Sequence, residues 1–139
     1  MSTATTSYAD VVAGVRAALA AYTHALDDGR TDDVVATFCT DGTFEGPGLG
    51  THEGHEALRA WFGSVEPRQP QRHVVVNTHV DTWTAQEATA TSDLIFLLMG
   101  DKGWSVLLVG RYCDQLHYDE DSGAWRFHRR TAEFVTETT

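Results

Sequence analysis

The reactive groups of this chain are a set of histidines and a few carboxylates that fall where one kind of local pattern gives way to another. Asp27 closes a helical stretch five positions after Tyr22, and His73 opens a period-two stretch just past Pro67 and Pro70. Imidazole titrates near neutrality and can serve as base, acid or metal ligand. Asn77 and His79 share the face of His73 and Val75. If that face lines a cavity, Asn77 can hydrogen-bond a substrate oxygen, whereas His79 lies nearer the turn and is expected in solvent. Asp93 shares a face with Ile95, Leu97 and Met99, and Ser92 with Leu94, Phe96 and Leu98. A carboxylate turned into a cavity would have a raised pKa and act as an acid, although Asp93 near the strand's start reads more simply as a solvated end. His52-Glu53-Gly54-His55-Glu56 contains zinc-ligand types but is not HExxH, and Gly54 breaks any shared helical face, so a helix entry and no metal are expected there. His117, His128 and the arginines lie on the last two strands. Alternation sets Arg126 and Arg130 on one face and Arg129 on the other, for cross-strand pairing with acids.

The elements that must position these groups are readable from periodicity. Ser7-Tyr8-Ala9-Asp10 has the form of a capping box. Val11, Val15, Ala18, Leu19, Tyr22 and Leu26 then fall at helical spacing up to Gly29, which suits a left-handed helix end. Thr31 is expected to cap a short second helix burying Val34, Val35 and Phe38. Residues 40–54 are turn-rich, with a short strand at Thr43-Phe44-Glu45. A third helix starts near His55 and buries Leu58, Trp61, Phe62 and Val65. From His73 the period is two, and residues 73–83, 87–99, 104–118 and 124–135 read as strands joined by short hairpin links. Helices first and then an antiparallel meander is the pattern of a single α+β domain over residues 1–139, with residues 1–6 a disordered tail. Long strands twist and curl, so three N-terminal helices packed on a strongly curved antiparallel sheet make a cone with an apolar interior. Tyr22, Phe38, Phe44, Trp61, Phe96 and Tyr112 are the expected wall.

Composition narrows the partners. The 139 residues hold 10 Lys and Arg, of which Lys102 is the single lysine, against 20 Asp and Glu, for a net charge of −10. This disfavours nucleic-acid phosphates and anionic membrane surfaces, which select basic faces. The acids are expected mostly as an outer coat, with Asp10, Asp32 and Asp33 at helix starts, Asp119 to Asp121 in a hairpin, and Glu133 and Glu137 near the end. Asp27 is the one acid assigned to the interior. The two cysteines, Cys39 and Cys113, are far apart, without a disulfide framework or CxxC, and are expected as buried free thiols. The start carries no signal-peptide pattern and the longest apolar run, Leu94 to Met99, is too short to span a bilayer, so a cytoplasmic protein is expected. A turn lysine leaves Schiff-base chemistry little footing, and no phosphate loop, nucleophile elbow or Rossmann fingerprint is present.

The order of elements and the strings YTHALDDGRTDDVVATFCTDGTFEGPG, GTHEGHEALRAWF, RHVVVNTHV and VGRYCDQLHYDEDSGAWRFHRR resemble the NTF2-like superfamily, and within it the SnoaL-like group, over about residues 8–134. The resemblance implies a cystatin-like cone. Its scytalone dehydratase and dehydrochlorinase branches are similar at Asp27 and His73, which implies that the aspartate holds the histidine deep in the cone. The sequence departs from scytalone dehydratase elsewhere. Ser92 and Asp93 stand where that enzyme has a second histidine, and Val109-Gly110 where it has an asparagine, so that particular dehydration is not implied. The superfamily hosts many reactions, and fold alone does not choose among them. The implied function is a cofactor-free enzyme performing elimination, isomerisation or cyclisation on a hydrophobic small molecule. His73 would be base, Asp27 its orienter, and Tyr22 or Asn77 a polar contact. The alternatives are a non-catalytic binding or accessory protein and a structural subunit. A homodimer is the expected assembly.

Overall fold

The computed structural model describes residues 5–135. The chain runs α1 (Tyr8–Asp27), α2 (Thr31–Ala36), β1 (Phe38–Gly46), β2 (Gly50–Glu53), α3 (His55–Ser64), β3 (Gln71–Trp83), β4 (Glu87–Gly100), β5 (Gly103–Asp119) and β6 (Ala124–Phe134). The six strands form one sheet in the order β2-β1-β6-β5-β4-β3. The meander β3 to β6 is antiparallel as the short links require. β1 lies parallel to β6, so the sheet is mixed rather than wholly antiparallel. The expected tail is described only in part, since residues 1–4 lie outside the described residues, as does Glu137. Among the described residues no helix is long and apolar enough to cross a membrane.

α1 starts where its sequence dictates. Ser7 Oγ accepts from Asp10 N at 3.1 Å and Asp10 Oδ2 accepts from Ser7 N at 2.9 Å, closing the capping box. Its stripe of Val11, Val15, Leu19, Tyr22 and Leu26 is buried against the concave side of the sheet. Both ends of α1 are tied to the open edge of β3, because Tyr8 donates its hydroxyl to Val80 O at 3.2 Å and Asp27 accepts from His73 N at 2.8 Å. α2 departs from expectation at its start. Arg30 is the N-cap residue, without a side-chain cap, and Thr31 donates instead to Glu66 Oε1 at 2.7 Å. The first strand is also longer than expected, and Val65 is exposed rather than buried.

Bulges reset which residues face inward. In β6 the partners step from Arg129 to Phe127, which leaves His128 out of the ladder with β5. One extra residue inverts the alternation. Trp125 and Phe127 are buried before the bulge, and Arg130 and Ala132 after it. Arg130 is therefore inside while Arg126 and Arg129 are both outside, which corrects the expected grouping of Arg126 with Arg130. β3 has the same kind of step between Val76 and His79.

Gly14 sits mid-helix because Trp125 of β6 packs on its backbone. A Cβ there would stand 2.2 Å from Trp125 Cδ1. Overpacking costs about 1–3 kcal/mol, against a helix-propensity gain of about 1 kcal/mol. Gly14→Ala is therefore expected to lower the melting temperature, measured by circular dichroism, despite making a better helix.

Candidate active site

The end of α1 and the start of β3 build the polar centre. β3 is an edge strand, so alternate N–H groups on its free side lack a ladder partner. Asp27 fills one of these places. Its Oδ2 accepts the His73 backbone N–H, and its Oδ1 lies 2.6 Å from His73 Nδ1. Gln71 Nε2 donates to the same Oδ1 at 3.2 Å. A carboxylate can only accept, so the neutral tautomer of His73 that this contact selects has its proton on Nδ1 and its lone pair on Nε2. The two side chains are 6% and 14% exposed for Asp27 and His73 respectively, so the pair is shielded from bulk water without being sealed.

His73 lines a cavity of about 390 Å³, within the usual range for small-molecule sites. Its ring lies 4.3 Å from that of Phe96 on β4. Buried residues form the floor, among them Tyr22, Phe44, Phe62, Leu94 and Tyr112. The exposed segment between α3 and β3, carrying Glu66, Arg68 and Gln69, forms the rim. The wall is thus mostly apolar, with the His73 imidazole, the Gln71 amide and two phenols as its deep polar groups. Burial pushes the Tyr22 phenol well above its ordinary range, with Tyr112 adding to the rise and Arg130 opposing it. Burial raises Tyr112 as well, again against Arg130. Both phenols are therefore neutral hydrogen-bond donors at ordinary pH.

Beneath the phenols lies a charge pair that alternation did not predict. Arg130 is fully buried and Asp114 is 3% exposed. They are cross-strand partners, with Arg130 Nε 3.5 Å from Asp114 Oδ1. That separation gives Coulomb attraction without hydrogen-bond geometry, and these guanidinium and carboxylate atoms have no hydrogen-bond partner among the described residues. The guanidinium is held instead by aromatic faces, 3.5 Å from the Tyr112 ring centroid and 4.3 Å from that of Tyr22, a favourable arrangement for a desolvated cation. Asp114 therefore joins Asp27 as an interior acid. Burial raises its pKa to about 6, against the pull of Arg130.

The remaining sequence candidates divide by these bulges. Tyr22, Phe44, Trp61, Phe96 and Tyr112 line the cavity. Phe38 does not; it is buried core, against Phe62 and Phe127. Asn77 is also outside, because it sits at the β3 bulge with φ +55° and donates to Asp93 Oδ2 at 2.9 Å on the exposed side. Asp93 also holds Arg111, and hydrogen bonds from Asn77 and then Arg111 lower its pKa, opposite to a cavity acid. Ser92 is buried but 3.0 Å from Thr78 Oγ1, away from the cavity. His79 is exposed beside Asp81. His52 and His55 both spend a ring nitrogen on backbone carbonyls, those of Leu49 and Phe38, and His52 stacks on Trp61. Gln71, Leu108 and Phe134 were not anticipated as lining residues. Gln71 was findable, lying two positions before His73 on the same face.

A curved α+β cone of this topology defines an NTF2-like, cystatin-like protein. The chain belongs to the SnoaL-like domain family, whose model matches residues 7–131. Among curated proteins nothing matches it. Similar solved structures include a Nostoc punctiforme protein of unknown function with a cystatin-like fold, at TM-score 0.80 and 21% identity, covering 96% of this chain and 97% of that one. A Catenulispora acidiphila protein in complex with S-DNPA aligns at TM-score 0.80 and 26% identity, over 91% and 94% of the two chains. A Novosphingobium aromaticivorans protein provisionally described as a scytalone dehydratase aligns at TM-score 0.79 and 19% identity, over 92% and 86%.

The buried pair gives a stability prediction. Asp114 has a folded pKa of about 6, above its ordinary 3.8. Its contribution is therefore full below 3.8 and is lost as pH rises through 6. Unfolding of Asp114→Asn across that window should lack this component of the wild-type pH dependence.

Proposed function

We propose that this chain is a cofactor-independent enzyme of the cytoplasm that performs general acid–base chemistry on a hydrophobic small molecule. The observation that carries this is the 2.6 Å contact between Asp27 and His73 Nδ1 at the wall of an otherwise mostly apolar cavity. His73 Nε2 takes a proton from a carbon next to a carbonyl. Asp27 stabilises the imidazolium that forms and keeps the ring in place. Tyr22 and Tyr112 donate to the carbonyl oxygen as it gains charge. The proton then returns to another carbon, giving isomerisation, or to a departing hydroxyl, giving elimination. Attack of the carbanion on a second carbonyl would give cyclisation. The ligand-bound Catenulispora acidiphila relative supports a small-molecule site in this fold.

The base is testable without the natural substrate. With 2-tetralone in D2O, the wild type is expected to accelerate hydrogen–deuterium exchange at the carbon beside the carbonyl, followed by NMR. His73→Ala and Asp27→Asn should each lose about 10²–10⁴-fold of that acceleration while keeping the wild-type circular dichroism. Full exchange in either variant overturns the dyad. Binding of the ketone without exchange in the wild type identifies a non-catalytic carrier.

A homodimer belongs to the same proposal. Trp104, Val106, Leu107 and Val109 of β5 are exposed apolar side chains, and a second copy of the chain would cover them. Light scattering is expected to give twice the monomer mass, reduced to the monomer mass by Val106→Asp. A monomeric wild type refutes the assembly.

A further inference from the structure

On the face of the sheet away from the cavity, three metal-ligating side chains meet. Cys39 of β1, His128 of β6 and His117 of β5 each follow a buried apolar residue, namely Phe38, Phe127 and Leu116, and so turn to the convex side. Their donor atoms all lie within 4.8 Å of one another. The two imidazoles stack with centroids 4.4 Å apart and planes 10° from parallel. His128 is the residue the bulge leaves out of the β5 ladder, and the β1 pairing skips it too, stepping from Phe127 to Arg129. A bulge of this kind re-aims a side chain. His128 Nδ1 is buried and has no hydrogen-bond partner among the described residues, which is costly unless something unaccounted for uses its lone pair or proton. A carboxylate is at hand, since Asp41 Oδ1 lies 3.8 Å from that nitrogen.

We propose that Cys39, His117 and His128 form a site for a borderline-soft divalent ion, zinc in the first instance, with the Asp41 carboxylate, which lies outside that cluster beside His128, turning in as fourth donor. One sulfur, two imidazole nitrogens and a carboxylate oxygen are the zinc donor set. Donors around a tetrahedral zinc lie about 3.3–3.8 Å apart given its bond lengths, and the ion lies in the plane of each imidazole, so binding requires one ring to turn out of its stack with the other. The ion would act structurally. It would clip β1, β6 and β5 together where the β1–β6 register is interrupted between Phe38 and Thr43. It is separate from the His73 cavity, none of whose lining residues it shares.

Cobalt(II) is the probe. Titration of the intact chain is expected to saturate at one ion per chain, with a thiolate-to-cobalt charge-transfer band and intense tetrahedral visible bands that zinc displaces. Cys39→Ser should remove the charge-transfer band, and His128→Ala and His117→Gln should each weaken binding at least tenfold. Cys113→Ser should change nothing. Zinc should raise the wild-type melting temperature and leave that of Cys39→Ser unmoved. The ion-free melting temperatures of the variants, all at partly exposed positions, are measured alongside, so that lost ligation is separated from lost fold. Absence of the charge-transfer band overturns the proposal. So does binding that Cys39→Ser and His128→Ala leave intact, which would place the ion on scattered surface carboxylates.

Discussion

The structure turns on one carboxylate. Asp27 stands at the last residue of α1 and accepts from both the backbone and the ring of His73. The backbone bond fills a gap on the open edge of the sheet. The ring bond orients the imidazole. The same residue that docks a helix thereby prepares a base, and neither task is separable from the other. With Tyr8 held at Val80, the helix is fixed at both ends along β3. Its apolar stripe then has no choice but to close the cone, and Tyr22 is carried to the cavity floor.

The elements were largely legible in the sequence because their signals are local. The capping box at Ser7 and Asp10, the glycine after α1, and the change from helical to period-two spacing near His73 each stand within a few residues. The parallel partnership of β1 with β6 was not legible, since pairing between distant segments leaves no mark in either. The site was legible where strict alternation holds, as at Phe96 and Tyr112. It failed where a bulge intervenes. Asn77 at the β3 bulge was expected inside and lies outside. Arg130, after the β6 bulge, was expected on the face of Arg126 and lies on the opposite one, in the core with its cross-strand partner Asp114. A single inserted residue costs little in energy and inverts every later assignment on its strand. Polar residues show it most, because an apolar side chain on the wrong face would have looked ordinary.

The interior shows how a small domain holds charge. Arg130 and Asp114 are poorly hydrogen-bonded to each other, and the guanidinium rests on the faces of Tyr22 and Tyr112. Aromatic quadrupoles replace water here. The two phenols therefore have an electropositive group behind their rings and the cavity in front. Positive charge behind a ring draws electron density from its oxygen, and this favours hydrogen-bond donation toward the cavity.

The pairing of β1 with β6 also governs how the chain can fold as it is made. Phe38 and Phe127 are neighbours in space but come from opposite ends of the chain. During synthesis β1 emerges long before β6 and has only β2 to pair with until β6 has left the ribosome. Contacts of such long range are formed late and slowly. β1 is therefore made well before it is fully seated, and the interval between is when the chain is most open to chaperones and to misassociation.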